Sequence, residues 1–320
     1  MSDDARPHVS VVIPTFNRST ALAETVASVF SSDLGEGVRP ELIIVDDGSD
    51  EPAANALVNV RRPAEWSLRV VRQDNQGVGA ARNRGYREAA GDVIVFVDDD
   101  MLLFPETLHR HMDGHRRLPG SVIFGRSPYV GQDTNPFVEW VQSLNNDPSQ
   151  SAEEEFVPAT IIASGHLSVE GTGPASRWPA IYADDMRTPV AEEYELSHRL
   201  VAHRIPAYMA RDIVAFHNRT IGVDAFMRQQ LGHGRGCAEA ARLHPECLEL
   251  DELRTVIDHH AHKSARSALW TLLGTSPARS ALRRAARAGQ RGRLGPLAPL
   301  AFRLSAGAWF SAGVRTTASP

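Results

Sequence analysis

The sequence predicts an α/β fold, with a mixed, mostly parallel sheet flanked by helices and a helical extension at its C-terminal end. Short β-branched or apolar runs of buried-strand length recur at Val9 to Ile13, Glu41 to Val45, Leu68 to Arg72 and Val93 to Val97, and such runs mark strands covered on both faces. Helical patterns alternate with them, as they do where parallel strands are joined by crossover helices. From about Asp224 onward the chain reads as helix alone.

Each element has a local reason. A first helix, Ala21 to Phe30, places Leu22, Val26, Val29 and Phe30 on one face. A second, Val78 to Ala90, is rich in Ala and Arg, and Gly91 is its expected C-cap. Past Pro105 come a histidine-rich helix, Glu106 to Arg117, and a polar stretch, Gln142 to Glu155, that reads as a mobile loop. Ala163 to Val169 and Tyr208 to Phe216 read as strands, with a helix between them at Glu192 to His203. Ser280 to Ala288 is an Arg/Ala segment that leads into a Gly/Pro-broken apolar stretch, Leu294 to Phe310. The expected division is an α/β domain at 1–222 and a helical, basic region at 223–320.

Of the 320 residues 42% are hydrophobic and 23% charged, an ordinary globular balance that excludes disordered and fibrous classes. The net charge of -5 hides an uneven distribution, because the last acidic residue is Asp258 and ten Lys or Arg residues follow it. The rest of the chain has 24 basic and 39 acidic residues, a net charge of −15. A cationic tail on an acidic body points to an anionic partner such as a membrane surface. Met-Ser-Asp-Asp lacks the features of a secretory signal, and no stretch approaches the ~20 apolar residues that span a bilayer. Cys237 and Cys247 have neither metal-type nor disulfide-framework spacing. The expectation is a cytoplasmic protein, peripheral at the inner face of the cell membrane through its tail, with Trp270, Trp309 and Phe310 as anchors. The alternative for the tail is a helical cap on the acidic body that contacts a second subunit in a homo-oligomer. No nucleic-acid partner is expected.

In an open parallel sheet, ligands bind beyond the carboxyl ends of the strands. There the sequence places Pro14-Thr15-Phe16-Asn17-Arg18, Asp46-Asp47-Gly48-Ser49-Asp50, Asp74-Asn75-Gln76-Gly77 and Asp98-Asp99-Asp100. Such clusters suit a divalent cation, Mn²⁺ or Mg²⁺, and a polar nucleotide, since hard cations take carboxylate oxygens and leave positions for phosphates. A solvated turn with an aspartate N-cap is the plain alternative. Three adjacent carboxylates after a buried strand repel one another unless a cation neutralises them, which favours the metal.

These motifs, in this order and spacing, resemble the inverting glycosyltransferases of family 2, with the GT-A fold. The resemblance covers Val9 to about Arg219. It rests on Val9-Ser10-Val11-Val12-Ile13-Pro14-Thr15-Phe16-Asn17-Arg18, Leu42 to Ser49, Asn75 to Gly85 with Ala81-Arg82-Asn83, and Phe96-Val97-Asp98-Asp99-Asp100. It implies a nucleotide-sugar-binding half at 1–104 and an acceptor half at 105–222. By the same resemblance, Thr15 and Asp46 hold the base, Asp99 contacts the ribose or the metal, and Asp100 binds the metal that bridges the diphosphate. Pro14, Asn17, Arg18, Asn75, Gly77 and Asp98 line the donor site. Arg82 lies near the base and phosphates, or is a solvated helix arginine. UDP is the default nucleotide, and the acceptor is a hydroxyl on a saccharide, a lipid-linked or a small molecule.

Inverting transfer needs a carboxylate to take the acceptor proton. Ala191 to Leu200 resembles the family's acidic acceptor-site helix, which makes Glu193 the base and leaves Glu192 as its competitor; the family more often has Asp there. Acids that complement the helix dipole are the alternative. His217 resembles a histidine that some GT-A enzymes use as an additional metal or diphosphate ligand. His166 reads as shaping the acceptor loop, and His259, His260 and His262 read as a solvated face. Two rival classes remain. A dinucleotide-binding oxidoreductase is suggested by Gly77-Val78-Gly79, but these glycines follow the third strand, with the wrong spacing. A catalytically inactive GT-A scaffold is disfavoured because Asp46, Asp99, Asp100 and a candidate base all persist together.

Overall fold

A computed structural model describes residues 8–129, 135–144, 154–186, 188, 191–219, 221–261 and 265–317. In chain order the elements are β1 (His8–Thr15), α1 (Ser19–Phe30), β2 (Arg39–Asp46), β3 (Ser67–Arg72), α2 (Val78–Glu88), β4 (Val93–Val97), β5 (Met101–Leu103), α3 (Thr107–Arg117) and β6 (Val122–Arg126). Then follow α4 (Pro136–Leu144), β7 (Phe156–Pro158), β8 (His166–Glu170), α5 (Glu192–Ala202), β9 (Ala207–His217), α6 (Val223–Leu243), α7 (Asp251–Ala261), α8 (Ala265–Leu273), α9 (Ser276–Gln290) and α10 (Ala298–Thr317). They form two compact units, one of residues 1–130, 152–187 and 199–219, the other of 131–151, 188–198 and 220–320.

The first unit is built on a nine-stranded mixed sheet of order β3-β2-β1-β4-β8-β6-β9-β5, with β7 pairing β9. Strands β1 to β4 pair in parallel, β8 enters antiparallel between β4 and β6, and β6 pairs β9 in parallel. Val9, Val11 and Ile13 of β1 pack with Leu22, Val26 and Val29 of α1, so the apolar face expected of that helix is the one it buries. Because β1 lies between β2 and β4, the loops leaving β1 and β4 part at a topological switch point, where such folds open a crevice.

Two local expectations are corrected. α2 ends at Glu88 with extended backbone at Ala89, so Gly91 is not its C-cap. Glu41 Oε1 instead accepts from the Ala90 amide and Ser10 Oγ from the Gly91 amide, which draws the chain off the helix and onto β1. A Cβ at Gly91 would lie 2.6 Å from the Ser10 amide nitrogen. Gly91→Ala is therefore expected to cost about 1–3 kcal/mol by overpacking, read as a lower urea midpoint. Second, Gln142 to Leu144 close α4, where Phe137, Val138, Trp140 and Val141 are buried on one side, so the helix runs into the stretch read as a loop. The rest of that stretch up to residue 153 lies outside the described residues, as does His262.

The second unit is helical. Phe137 and Trp140 of α4 cluster with Phe226 of α6 and Phe302 of α10, with ring centroids 5.1–5.9 Å apart. α6 and α10 approach through glycines: a Cβ at Gly234 would meet Phe310 O at 2.1 Å, and one at Gly313 would meet Leu231 O at 2.2 Å. Trp309 sits under the Arg279 guanidinium, 5.1 Å from its ring centroid, and Trp270 packs on Gly307. Both tryptophans expected as membrane anchors are thus partly buried among helices. Cys237 and Cys247 are both buried, and no disulfide joins them. Among the described residues no helix is long and apolar enough to cross a membrane.

Candidate functional site

The loops at the switch point are tied to one another before any ligand arrives. Asn17, at φ 55°, donates its amide to Ser49 Oγ (2.9 Å) and accepts from the Asp50 amide (2.8 Å); Asn tolerates this left-handed conformation better than most residues. Asp46, 1% exposed, accepts from the amides of Ser49 and Ala53 and from Arg72 Nη1 (2.9 Å). Burial pushes its carboxyl up, but these amides and Arg72 outweigh burial and hold it below the usual range. Asp47 accepts from Gln73 Nε2 and from the amides of Gln76 and Gly77 (2.8–2.9 Å). Gly48 has φ 84°, and a Cβ there would lie 2.9 Å from the Asn75 amide nitrogen, so only glycine lets these loops close. With these contacts Asp46 braces the turn that follows β2.

Asp98, Asp99 and Asp100 follow β4 at the same end. The Asp98 amide donates to Gly165 O (2.9 Å), Thr25 Oγ1 donates to Asp99 O (2.9 Å), and the Asn218 amide donates to Asp100 O (2.7 Å). Each side chain then meets a different partner. Arg82 Nη2 donates to Asp98 (2.6 Å), Thr15 Oγ1 to Asp99 (2.7 Å), and Arg18 Nη1 to both Asp99 (3.1 Å) and Asp100 (2.8 Å). The repulsion expected among three neighbouring carboxylates is therefore relieved by protein cations. Burial pushes Asp98 up against the pull of Arg82, and pushes Asp99 up to about 6 against Arg18 and Thr15. Asp100 goes the other way: burial favours its acid form, but His217, Arg18 and Arg219 prevail and hold it far below the ordinary range. An acid that stays ionised beside two raised ones is the natural cation ligand of the three.

β5 pairs antiparallel with β9, Met101 opposite His217, which sets Asp100 beside the imidazole. His217 Nδ1 is buried without a hydrogen-bond partner and lies 3.6 Å from Asp100 Oδ1. That separation is within the roughly 4.2 Å that two ~2.1 Å metal–ligand bonds span. Among the described residues no group of three or more His, Cys, Asp or Glu side chains is arranged for a metal. The pair therefore fits a cation that takes its other ligands from water and substrate phosphates.

Arg82 is 2% exposed, which rules out the solvated alternative; its guanidinium lies 4.9 Å from the Tyr182 ring centroid. Beside it Asn83 exchanges two hydrogen bonds with the Tyr182 backbone (2.7 and 2.9 Å). Arg82→Met is expected to cost about 3 kcal/mol because it strands Asp98 without its partner. The Arg82→Met/Asp98→Asn double variant should recover much of this in urea unfolding. Asn75 and Gly77 lie on the loop after β3, next to Gly48 and Asp47. Tyr129 and Arg219 were not singled out from the sequence. Tyr129 stacks on His217 with ring centroids 5.1 Å apart, and Arg219 Nη1 lies 3.8 Å from Asp100. Only the pairing of residue 129 with residue 217 across the sheet reveals them.

Glu192 and Glu193 open α5 in the second unit. Glu192 is buried and Glu193 half-buried. The Cys237 thiol is pushed well up by burial, and the negative charge of Glu193 adds to that effect.

A parallel half-sheet with a polar crevice at its switch point, continued by antiparallel strands, is the GT-A glycosyltransferase fold. The protein has that fold, with a helical C-terminal region. In structure it is similar to the mannosyltransferase PcManGT from Pyrobaculum calidifontis, solved in complex with GDP-Man and Mn²⁺ (TM-score 0.64, 18% identity, covering 98% of this chain and 88% of that one). It is also similar to S. aureus TarS 1-349 in complex with UDP (TM-score 0.53, 16% identity, 96% and 89% covered). Residues 10–160 match the model of Glycosyl transferase family 2. Among curated relatives, it is 32% identical over 111 residues to an undecaprenyl-phosphate 4-deoxy-4-formamido-L-arabinose transferase of Pectobacterium atrosepticum, 34% of each chain. It is 30% identical over 132 residues to the GalNAc(5)-diNAcBac-PP-undecaprenol beta-1,3-glucosyltransferase of Campylobacter jejuni, 40% of this chain and 42% of the other. The similarity spans about a third of the length of the first such relatives.

Proposed function

We propose that the protein is an inverting glycosyltransferase that moves a sugar from a nucleotide-diphospho-sugar, UDP-linked by default, to an acceptor hydroxyl. The expected setting is cell-envelope polysaccharide, glycolipid or glycosylated natural-product biosynthesis. The observation that carries this reading is the pairing of ionised Asp100 with the unsatisfied His217 Nδ1 at 3.6 Å, at the switch point of a family 2 fold.

In this reading Asp100 and His217, with Asp99 beside them, hold Mn²⁺ or Mg²⁺, which supplies charge stabilisation to a departing diphosphate. Thr15 and Asp46 hold the base, and the loops that carry Pro14, Asn17, Asn75 and Gly77, tied together through Asp46 and Asp47, surround the nucleotide. Thr15 keeps Asp99 oriented through its 2.7 Å hydrogen bond. Arg82 fixes Asp98, and Arg18, whose side chain is 46% exposed beside Asp99 and Asp100, would offer its guanidinium to donor phosphate. Glu193, or its neighbour Glu192, takes the acceptor proton.

The basic C-terminal region is read as a peripheral contact with anionic membrane at the cytoplasmic face. The names of the relatives, which act on undecaprenyl carriers, support a lipid-linked acceptor. The test is a screen of nucleotide-sugars for Mn²⁺-dependent hydrolysis by the full chain. Release of nucleotide that EDTA abolishes is expected; no turnover of any donor in the screen, with no binding of nucleotide and Mn²⁺, would sink the reading. Glu193→Gln should keep donor and Mn²⁺ binding but lower transfer by about 10²–10³-fold, the usual size of a general-base contribution. Full transfer by that variant would move the base to Glu192.

A further inference from the structure

The second unit contains a cavity of about 680 Å³ between the start of α6 and the end of α9, to which the transfer reaction assigns no role. Arg228 of α6, Arg287 and Gln290 of α9, and Arg291 just beyond α9 line it, together with Asp224 and Asn135. Its charges do not balance. Arg287 Nε is 3.1 and 3.2 Å from the two Asp224 oxygens, so these two neutralise each other. The guanidinium groups of Arg228 and Arg291 have no ion-pair or hydrogen-bond partner among the described residues, which leaves two positive charges facing one concavity. α6 opens into the same space without a side-chain cap.

Two surplus guanidinium groups define a ligand class. Each offers a planar fork of donors that matches phosphoryl oxygens. A phosphate ester carries about 1.5–2 negative charges at neutral pH, close to the surplus here, whereas one carboxylate carries a single charge. The volume falls in the roughly 300–1,000 Å³ range of small-molecule sites, so the space admits more than a bare ion. We propose that this cavity binds the phosphate or diphosphate group of a phosphorylated molecule, held between Arg228 and Arg291 with Gln290 as an additional donor. The sequence had assigned an anionic partner to the basic tail as a whole. The structure narrows that to a site built from one of its arginines, Arg291, and one from α6, Arg228.

The test uses the full chain in EDTA, which suppresses cation-dependent binding at the aspartates. One arm titrates inorganic pyrophosphate by calorimetry, and the other measures flotation with vesicles containing phosphatidic acid. Each is run on the parent and on the Arg228→Ala/Arg291→Ala variant. Both side chains are exposed, so the variant is expected to keep the parent's melting temperature and its Mn²⁺-dependent UDP binding. Pyrophosphate binding that weakens at least about tenfold in the variant, ~1.4 kcal/mol, supports the site and a soluble ligand. Flotation alone, lost in the variant, supports the site and a lipid headgroup as the source. Equal binding by parent and variant, or no binding in either arm, overturns the proposal. Because Mn²⁺-dependent UDP binding is measured separately, without EDTA, on the same two proteins, failure here is distinguishable from failure of the transferase reading.

Discussion

Asp100→Asn is expected to remove Mn²⁺-dependent nucleotide-sugar turnover almost entirely, with kcat/KM falling by about 10³-fold, or ~4 kcal/mol of transition-state stabilisation. The size follows from the charge pattern. Asp98 and Asp99 are pushed towards their neutral forms by burial, while His217, Arg18 and Arg219 keep Asp100 ionised. Removing that one charge leaves His217 without its carboxylate partner and takes from the cation its principal ligand. Stability should change much less, because Arg18 is 46% exposed on its side chain and can be hydrated when unpaired. The measurement is Mn²⁺ affinity together with steady-state turnover. Retention of both within about threefold of the parent, in a folded Asp100→Asn protein, would displace Asp100 from the centre of the site.

A second large effect is acid lability from buried histidines beneath the sheet. His166 Nε2 faces Arg126 O at 3.0 Å, a carbonyl that only accepts, so the ring donates there and presents Nδ1 as an acceptor. His111 Nε2, 3.4 Å away, donates to it, and His111 Nδ1 then accepts from Ser168 Oγ at 2.8 Å. Ser168 Oγ in turn accepts from His115 Nε2 at 2.8 Å. This directional chain fits neutral rings. Burial agrees, because it lowers His111 well below the ordinary value and brings His115 and His166 down to about 4. In the unfolded chain each ring takes a proton near pH 6.5, so the unfolded state binds more protons below that value. Stability is complete above about pH 6.5 and falls as pH drops towards 4. Each ring of this kind costs about 2 kcal/mol by pH 5, from 1.5 units at 1.36 kcal/mol each. Urea midpoints at pH 7.5 and 5.0 should therefore differ sharply, and His115→Gln should remove about one ring's share of the difference. A His115→Gln protein with the parent's full pH dependence would show that His115 is not a contributor.

Much of the fold was legible because its signals are local. The apolar runs of β1, β2 and β4, the buried face of α1 and the helical character past Asp224 depend on periodicities of a few residues, which the sequence displays directly; the run at β3, read as a buried strand, instead forms the edge of the sheet with no residue fully buried, because strand order and not composition decides which strand is covered. Even so, α2 stops two residues short of its expected end, because Glu41 and Ser10, distant in sequence, claim the amides of Ala90 and Gly91. The switch-point clusters were legible for the same reason as the strands, since a residue that follows a buried strand must lie at the edge of the sheet.

The sequence by itself determined the class of fold, the resemblance to family 2 and the edge of the sheet on which the polar residues gather. The tertiary structure decided what each of those residues touches: Asp46 bracing its own turn, Arg82 buried against Asp98, Arg18 bridging Asp99 and Asp100, and Tyr129 and Arg219 joining His217. The physical reason is separation along the chain. Thr15 and Asp99 are 84 residues apart, and Arg18 and Asp100 82 apart, so their meeting is set by strand order and register, which no local pattern encodes.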